Sequence, residues 1–171
     1  MPSPHLRTLL YVLPTAAAVV AALLLVRVLE SSKTKPGDHL VPGASSIDDL
    51  DPSIEYDGAW THDRQFADSY NSSISYSDRP GNSVRLTFHG SSITYVYTMA
   101  LNRGIAQVLI DGTELARIDL YSAKTQWQQQ KTFDQLGESN HTIEIRVTDQ
   151  KDPHSSALFV DVDRFIVGSG K

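Results

Sequence analysis

Two hydrophobic patterns divide the chain. Between Arg7 and Arg27 lie nineteen residues without a charge, TLLYVLPTAAAVVAALLLV. As a helix rising 1.5 Å per residue the run would be roughly 28 Å long, close to the ~30 Å hydrocarbon thickness of a bilayer. It lacks the polar face of a soluble helix. Pro14 is better tolerated in a spanning helix than in a soluble one, and Tyr11 suits the headgroup level. The competing reading is a cleaved signal peptide, whose apolar region is usually ~7–15 residues followed by a small-x-small site. This run is longer and exits through Arg27-Val-Leu-Glu30. The expectation is therefore a single N-terminal transmembrane anchor within residues 1–30, contacting the membrane through residues 8–26. Arg27, Lys33 and Lys35 after the run outnumber Arg7 and the α-amino group before it. That count favours a cytoplasmic C-terminal domain. The character of the domain favours the outside, and the outside is the expectation.

Residues 31–50, SSKTKPGDHLVPGASSIDDL, hold two Pro-Gly breaks and no sustained period. They read as a flexible linker. Asp48, Asp49 and Asp51 form an acidic cluster there, read as solvated surface, with calcium binding as the alternative. From residue 51 onward the period is two. Val84, Leu86 and Phe88 alternate with Arg85, Thr87 and His89; Ile143, Ile145 and Val147 alternate with Thr142, Glu144 and Arg146. Each is a half-buried strand. Ile93 to Thr98 is β-branched and aromatic throughout. Ile105 to Ile110 ends at Asp111-Gly112, a two-residue hairpin signal, and Leu115 to Tyr121 returns from it. Gln126 to Phe133 is a polar strand, and Leu158 to Val167 reads as one closing strand. With Ile54–Asp57 and Ile74–Ser77 the total is about nine strands and no helix, the signature of an all-β sandwich over residues 51–171.

Composition narrows the function classes. The 171 residues include no cysteine, which removes a disulfide scaffold, a cysteine nucleophile and a cysteine-ligated metal. Twenty acids against fifteen bases give −5, which argues against a nucleic-acid binder. The six histidines show no metal-ligand spacing. Two glycosylation acceptor patterns, Asn71-Ser-Ser73 and Asn140-His-Thr142, matter only for a lumenal eukaryotic domain, and the lack of cysteine leans bacterial.

The order of motifs carries a resemblance. Tyr56-Asp-Gly-Ala-Trp60 opens the domain, followed by Gly81-Asn-Ser-Val-Arg-Leu-Thr-Phe-His-Gly90 and the strand Ile93–Tyr97. Gly104-Ile-Ala-Gln-Val-Leu-Ile-Asp-Gly112, Ile118-Asp-Leu-Tyr-Ser122 and Gln126-Trp-Gln-Gln-Gln130 come next. Asn140-His-Thr-Ile-Glu-Ile145 and Phe159-Val-Asp-Val-Asp163 complete the set. Over roughly residues 52–169 the chain resembles the galactose-binding-like jelly-roll domains of bacterial surface and secreted proteins, often carbohydrate-binding modules appended to glycosidases. The resemblance implies an all-β jelly-roll sandwich, here behind one N-terminal transmembrane helix.

The residues show no nucleophile elbow, zinc motif or phosphate loop. Asp161 and Asp163, two apart on one strand, read as a loop cap or partners of a base, with calcium ligation as the alternative. Sugar binding needs flat aromatic faces and planar polar groups. Tyr121, Trp127, Asp119 and the fork of Arg103 supply both. Tyr121 and Trp127 are each read either as ligand contacts or as packing, and Arg103 as a ligand contact or a solvated loop arginine. Trp60, Tyr95 and Tyr97 are expected in the core. The expected function is a membrane-anchored, extracytoplasmic, non-catalytic binder of carbohydrate or another surface polymer, with no cofactor beyond a structural calcium. The rival is a structural or accessory subunit that uses the sandwich for protein–protein contacts in a membrane or surface assembly.

Overall fold

The computed structural model describes residues 43–169; the run read as an anchor and most of the linker lie outside them. Among the described residues no helix is long and apolar enough to cross a membrane. The chain there is all-β. In order the strands are β1 (Ala44–Asp48), β2 (Ile54–Asp57), β3 (Thr61–Asp63), β4 (Ile74–Ser77), β5 (Ser83–Gly90) and β6 (Ser92–Met99). They continue with β7 (Ile105–Ile110), β8 (Thr113–Asp119), β9 (Gln126–Phe133), β10 (Ser139–Val147), β11 (Val160–Val162) and β12 (Arg164–Gly168).

Alternation sets the central pairing. In β5, Val84, Leu86 and Phe88 are buried while Thr87 and His89 are exposed. In β10, Ile143, Ile145 and Val147 are buried on the same period. The two strands run antiparallel with Leu86 opposite Ile143 and Val84 opposite Ile145, so their apolar faces coincide. On the outer face Glu144 accepts from Arg85 at 3.2 Å and from Arg146 at 2.8 Å. Asp111 and Gly112 both have positive φ, +50° and +78°, as a tight β7–β8 turn requires. A bulge after Val108 adds a residue to β8 and leaves Leu115 exposed.

Three sheets result: β2-β5-β10-β7-β8, β1-β12-β6-β9, and β11-β4-β3. Side chains of the first two fill one core, with Leu86, Val108, Ile143 and Ile145 from one sheet meeting Ile93, Tyr95 and Phe165 from the other. This is the arrangement of a β-sandwich. Tyr95 and Tyr97 are buried, as expected, and the Tyr95 hydroxyl donates to the Asp161 carbonyl.

The structure departs from the sequence reading in four places, the simplest being β3 (Thr61–Asp63), a strand paired with β4 that the sequence reading did not include. Ala44–Asp48, inside the stretch read as linker, is an edge strand with Ile47 opposite Phe165. The segment read as one closing strand is two: β11 pairs with β4, β12 pairs with β6 and β1, and the chain changes sheets at Asp163. The acidic cluster is not solvated throughout. Asp49 is fully buried and accepts from the hydroxyls of Ser73 and Ser75, each at 2.6 Å.

Candidate functional site

A hollow with a volume of about 350 Å³ opens beside β4, the end of β6 and the start of β9. Phe66, Tyr76, Trp127 and Phe159 give it aromatic walls, and Asn102 and Arg103 supply its polar side. Thr98 is fully buried at its floor, and its hydroxyl makes no well-formed hydrogen bond to protein.

Each wall is held by a specific local device. Gln128 has a positive φ of +52°, and the β6–β9 register slips between Tyr97 and Met99. This bulge breaks the alternation of β9 and re-aims the neighbouring Trp127. The Trp127 ring lies 5.6 Å from Phe66 at 46°, and the Gln128 amide anchors the bulge to the Asp68 carbonyl at 2.9 Å. Tyr76 and Phe159 meet edge to face with centroids 5.6 Å apart.

Arg103 is neither a solvated loop arginine nor loosely placed. It is 8% exposed, and Nη2 donates to Asp161 Oδ2 at 2.6 Å. Nη1 donates to Asn102 Oδ1 at 3.2 Å. Asp161 is buried and its other oxygen accepts from the Thr98 amide at 2.9 Å. Burial pushes the Asp161 carboxyl up, while Arg103 and the Thr98 amide pull against that shift. A desolvated ion pair of this kind fixes a guanidinium plane at the cleft wall. The loop beneath it depends on Gly104. A Cβ there would lie 2.7 Å from the Leu158 carbonyl oxygen, so only glycine lets this loop press against residues 158–159. The Gly104 amide donates to the Phe159 carbonyl at 2.9 Å, tying the two sides together.

Of the residues singled out from sequence, the fold brings Arg103 and Trp127 into this hollow and leaves Tyr121 and Asp119 out of its lining. The Tyr121 ring stacks on His154 at 6.1 Å, and its backbone bridges Ala100. Asp119 accepts from the Tyr121 amide at 2.9 Å, closing a local turn. Asp163 caps the short 3₁₀ turn Tyr70–Ser72 by accepting from the Tyr70 amide at 2.8 Å. Sequence reasoning did not single out Phe66, Tyr76 or Phe159 as wall residues. Their only signal was aromatic type beside turn-rich segments. Trp60 packs partly on the core and also lines a second hollow of about 190 Å³.

Two groups place a hydroxyl against a histidine. Ser75 Oγ lies 2.7 Å from His62 Nδ1, but it is fully buried and donates to Asp49. Ser139 Oγ lies 3.0 Å from His141 Nε2, and His141 Nδ1 lies 2.7 Å from Asp111 Oδ2. That connectivity is triad-like. However, Nε2 also faces the Gly137 carbonyl at 3.2 Å, and the hydrogen bond to Asp111 raises the affinity of the ring for its proton. Charged, the ring donates from both nitrogens and clamps the β7–β8 turn, and none of the three residues lines the aromatic hollow. Among the described residues no group of three or more His, Asp or Glu side chains is arranged to hold a metal ion.

No model of a known protein family matches the chain. The A type blood N-acetyl-alpha-D-galactosamine deacetylase of Flavonifractor plautii is 31% identical over 99 residues, 58% of this chain and 13% of that protein. The A type blood alpha-D-galactosamine galactosaminidase of the same organism is 31% identical over 108 residues, 62% of this chain and 10% of that protein. The chain thus spans a small fraction of the curated relatives it matches. A two-domain esterase active on acetylated mannans, co-crystallised with mannopentaose, superposes with a TM-score of 0.59 at 17% identity. The match covers 90% of this chain and 46% of that one. The catalytic domain of a GH87 alpha-1,3-glucanase in complex with tetrasaccharides gives 0.54 at 14% identity, over 75% of this chain and 28% of the other. These structures share the β-sandwich fold. The sequence relatives are named as enzymes, and this overturns two expectations, that of a non-catalytic binder and that of a protein outside enzymology. The sequence relatives and the solved structures that the chain resembles are, by name, enzymes that act on carbohydrates.

Proposed function

We propose that the chain is a galactose-binding-like β-sandwich of a carbohydrate-active enzyme, and that its hollow grips the glycan on which that enzyme acts. The observation that carries this reading is the pairing of Trp127 with Arg103 across one concave, aromatic-walled hollow. Indole and phenyl faces stack on the apolar face of a pyranose, while the guanidinium and the Asn102 amide bond its hydroxyl or acetyl oxygens. Supporting the sugar class, the two relatives are named for N-acetyl-alpha-D-galactosamine and alpha-D-galactosamine. The glycan proposed is accordingly one that ends in an N-acetylated or free amino-galactose unit. The hollow contributes orientation, holding the sugar in a fixed pose from which a positioned catalytic group gains rate. We further place the domain outside the cell, held by residues 8–26, on the strength of the uncharged run there.

Calorimetric titration of the full chain with a blood-group-A-type oligosaccharide tests the reading. Saturable binding is expected, weakened roughly thirtyfold or more by Trp127→Ala, as loss of an aromatic anchor costs about 2 kcal/mol or more. Equal affinity in the variant would overturn it.

A further inference from the structure

The hollow does not end at Tyr76 and Phe159. These two residues also line the second hollow, whose remaining walls include Trp60, Asp78 and Arg79. The edge-to-face Tyr76–Phe159 pair is therefore a shared ridge with a depression on each side. The second depression, about 190 Å³, falls below the ~300 Å³ at which small-molecule pockets usually begin, so it is poorly suited to a separate ligand. Its chemistry repeats that of the first. Trp60 offers a flat face, with its indole N–H committed to the Asp57 carbonyl at 3.1 Å, which fixes the ring. Arg79 and Asp78, 3.4 Å apart and largely solvent-exposed, offer donors and acceptors at the rim. A planar aromatic with an arginine beside it, repeated across an aromatic ridge, matches a repeating sugar chain better than a compact ligand.

Resting on the reading of the first hollow as a sugar site, we propose that the second hollow is an adjoining sugar subsite, so that the domain binds a glycan chain of at least two units laid across Tyr76 and Phe159. The first hollow takes one unit against Trp127 and Arg103. The second takes the neighbouring unit against Trp60, with its hydroxyls bonded by Asp78 and Arg79.

The test compares N-acetylgalactosamine with a blood-group-A-type oligosaccharide by calorimetry on the full chain. It uses wild type, Trp60→Ala, Arg79→Ala and Trp127→Ala. Arg79 is exposed and away from the core, so Arg79→Ala keeps the fold even if Trp60→Ala weakens it. The expected result is an oligosaccharide bound at least about tenfold more tightly than the single sugar, the scale of one added contact region. Trp60→Ala and Arg79→Ala should each narrow that gap and leave the single-sugar affinity unchanged. A gap that both variants preserve, or no gap in wild type, overturns the second subsite while the first stands. Failure of both ligands to bind, with Trp127→Ala indistinguishable from wild type, overturns the carbohydrate reading and the subsite with it.

Discussion

Arg103 and Asp161 show how much one residue pair decides. Sequence placed Arg103 in a loop and Asp161 on a strand, 58 positions apart, and left the role of each open. In the fold the guanidinium is buried against the carboxylate, so the pair is structural support for the cleft wall. Removing one partner of such a pair leaves an uncompensated buried charge, which typically costs about 3–5 kcal/mol. Asp161→Asn should therefore lower stability by that amount in urea denaturation and release Arg103 from the cleft wall. A loss below about 1 kcal/mol would mean that the pair is solvated in solution. A second contrast tests the β5 alternation. Phe88→Ala, in the core, should cost about 3–5 kcal/mol, whereas Thr87→Ala, facing solvent, should cost less than about 1 kcal/mol. Equal costs would contradict the observed faces.

At the scale of elements, legibility followed the strength of the local signal. The strands at 84–88 and 143–147 were readable because both alternate cleanly, and the Asp111-Gly112 turn because two consecutive positive φ values demand such residues. Ala44–Asp48 was not readable: it is a short polar edge strand whose only large apolar residue is Ile47, and its pairing with β12 is tertiary. The break at Asp163 was equally hidden, since the alternation does not report which sheet a strand joins. The same limit governs the cleft. Trp127 and Arg103 stood out by chemical type, but Phe66, Tyr76 and Phe159 reach the cleft from three separate segments. Gly104 is the element-scale hinge of the arrangement. Gly104→Ala forces a Cβ against the Leu158 carbonyl, and overpacking of this kind costs about 1–3 kcal/mol. Differential scanning calorimetry should show a lowered Tm, and sugar binding should weaken with it; an unchanged Tm would mean that the loop relaxes freely.

At the scale of the whole molecule, three buried carboxyls, Asp49, Asp161 and Asp163, are raised by burial and give stability an unusual pH dependence. Burial pushes Asp49 up to about 6, against the hydrogen bonds from Ser73 and Ser75. It pushes Asp163 up to about 7, against the Tyr70 amide. A carboxyl raised in the folded state binds more protons than in the unfolded one between the two values. Its stabilising contribution is full below the ordinary value near 4 and is lost as pH rises through 6 and 7. His141, whose affinity for its proton the hydrogen bond to Asp111 raises, acts in the same direction above its own ordinary value. The lowered carboxyls, Asp111 and Glu144 among them, lose their contributions only as the medium becomes more acidic still. Stability should thus decline between about pH 4 and pH 7 by at least about 1 kcal/mol, since one pH unit of displacement for one group is worth about 1.4 kcal/mol. Asp163→Asn should flatten part of that slope. Stability that rises over this interval would contradict the burial of these groups.

On the proposed reading the glycan sits in the Trp127–Arg103 hollow. The chain has only two tryptophans, so each indole N–H gives a separately resolved signal in a nitrogen–proton correlation spectrum. Titrating the full chain with a blood-group-A-type oligosaccharide should move the Trp127 indole signal and the Arg103 Nε–H signal along one saturating curve. The Thr98 amide beneath them should shift on the same curve. If sugar saturates the protein while the Trp127 and Arg103 signals stay fixed and those of Tyr121 or Asp119 move instead, the glycan site lies elsewhere and the account fails.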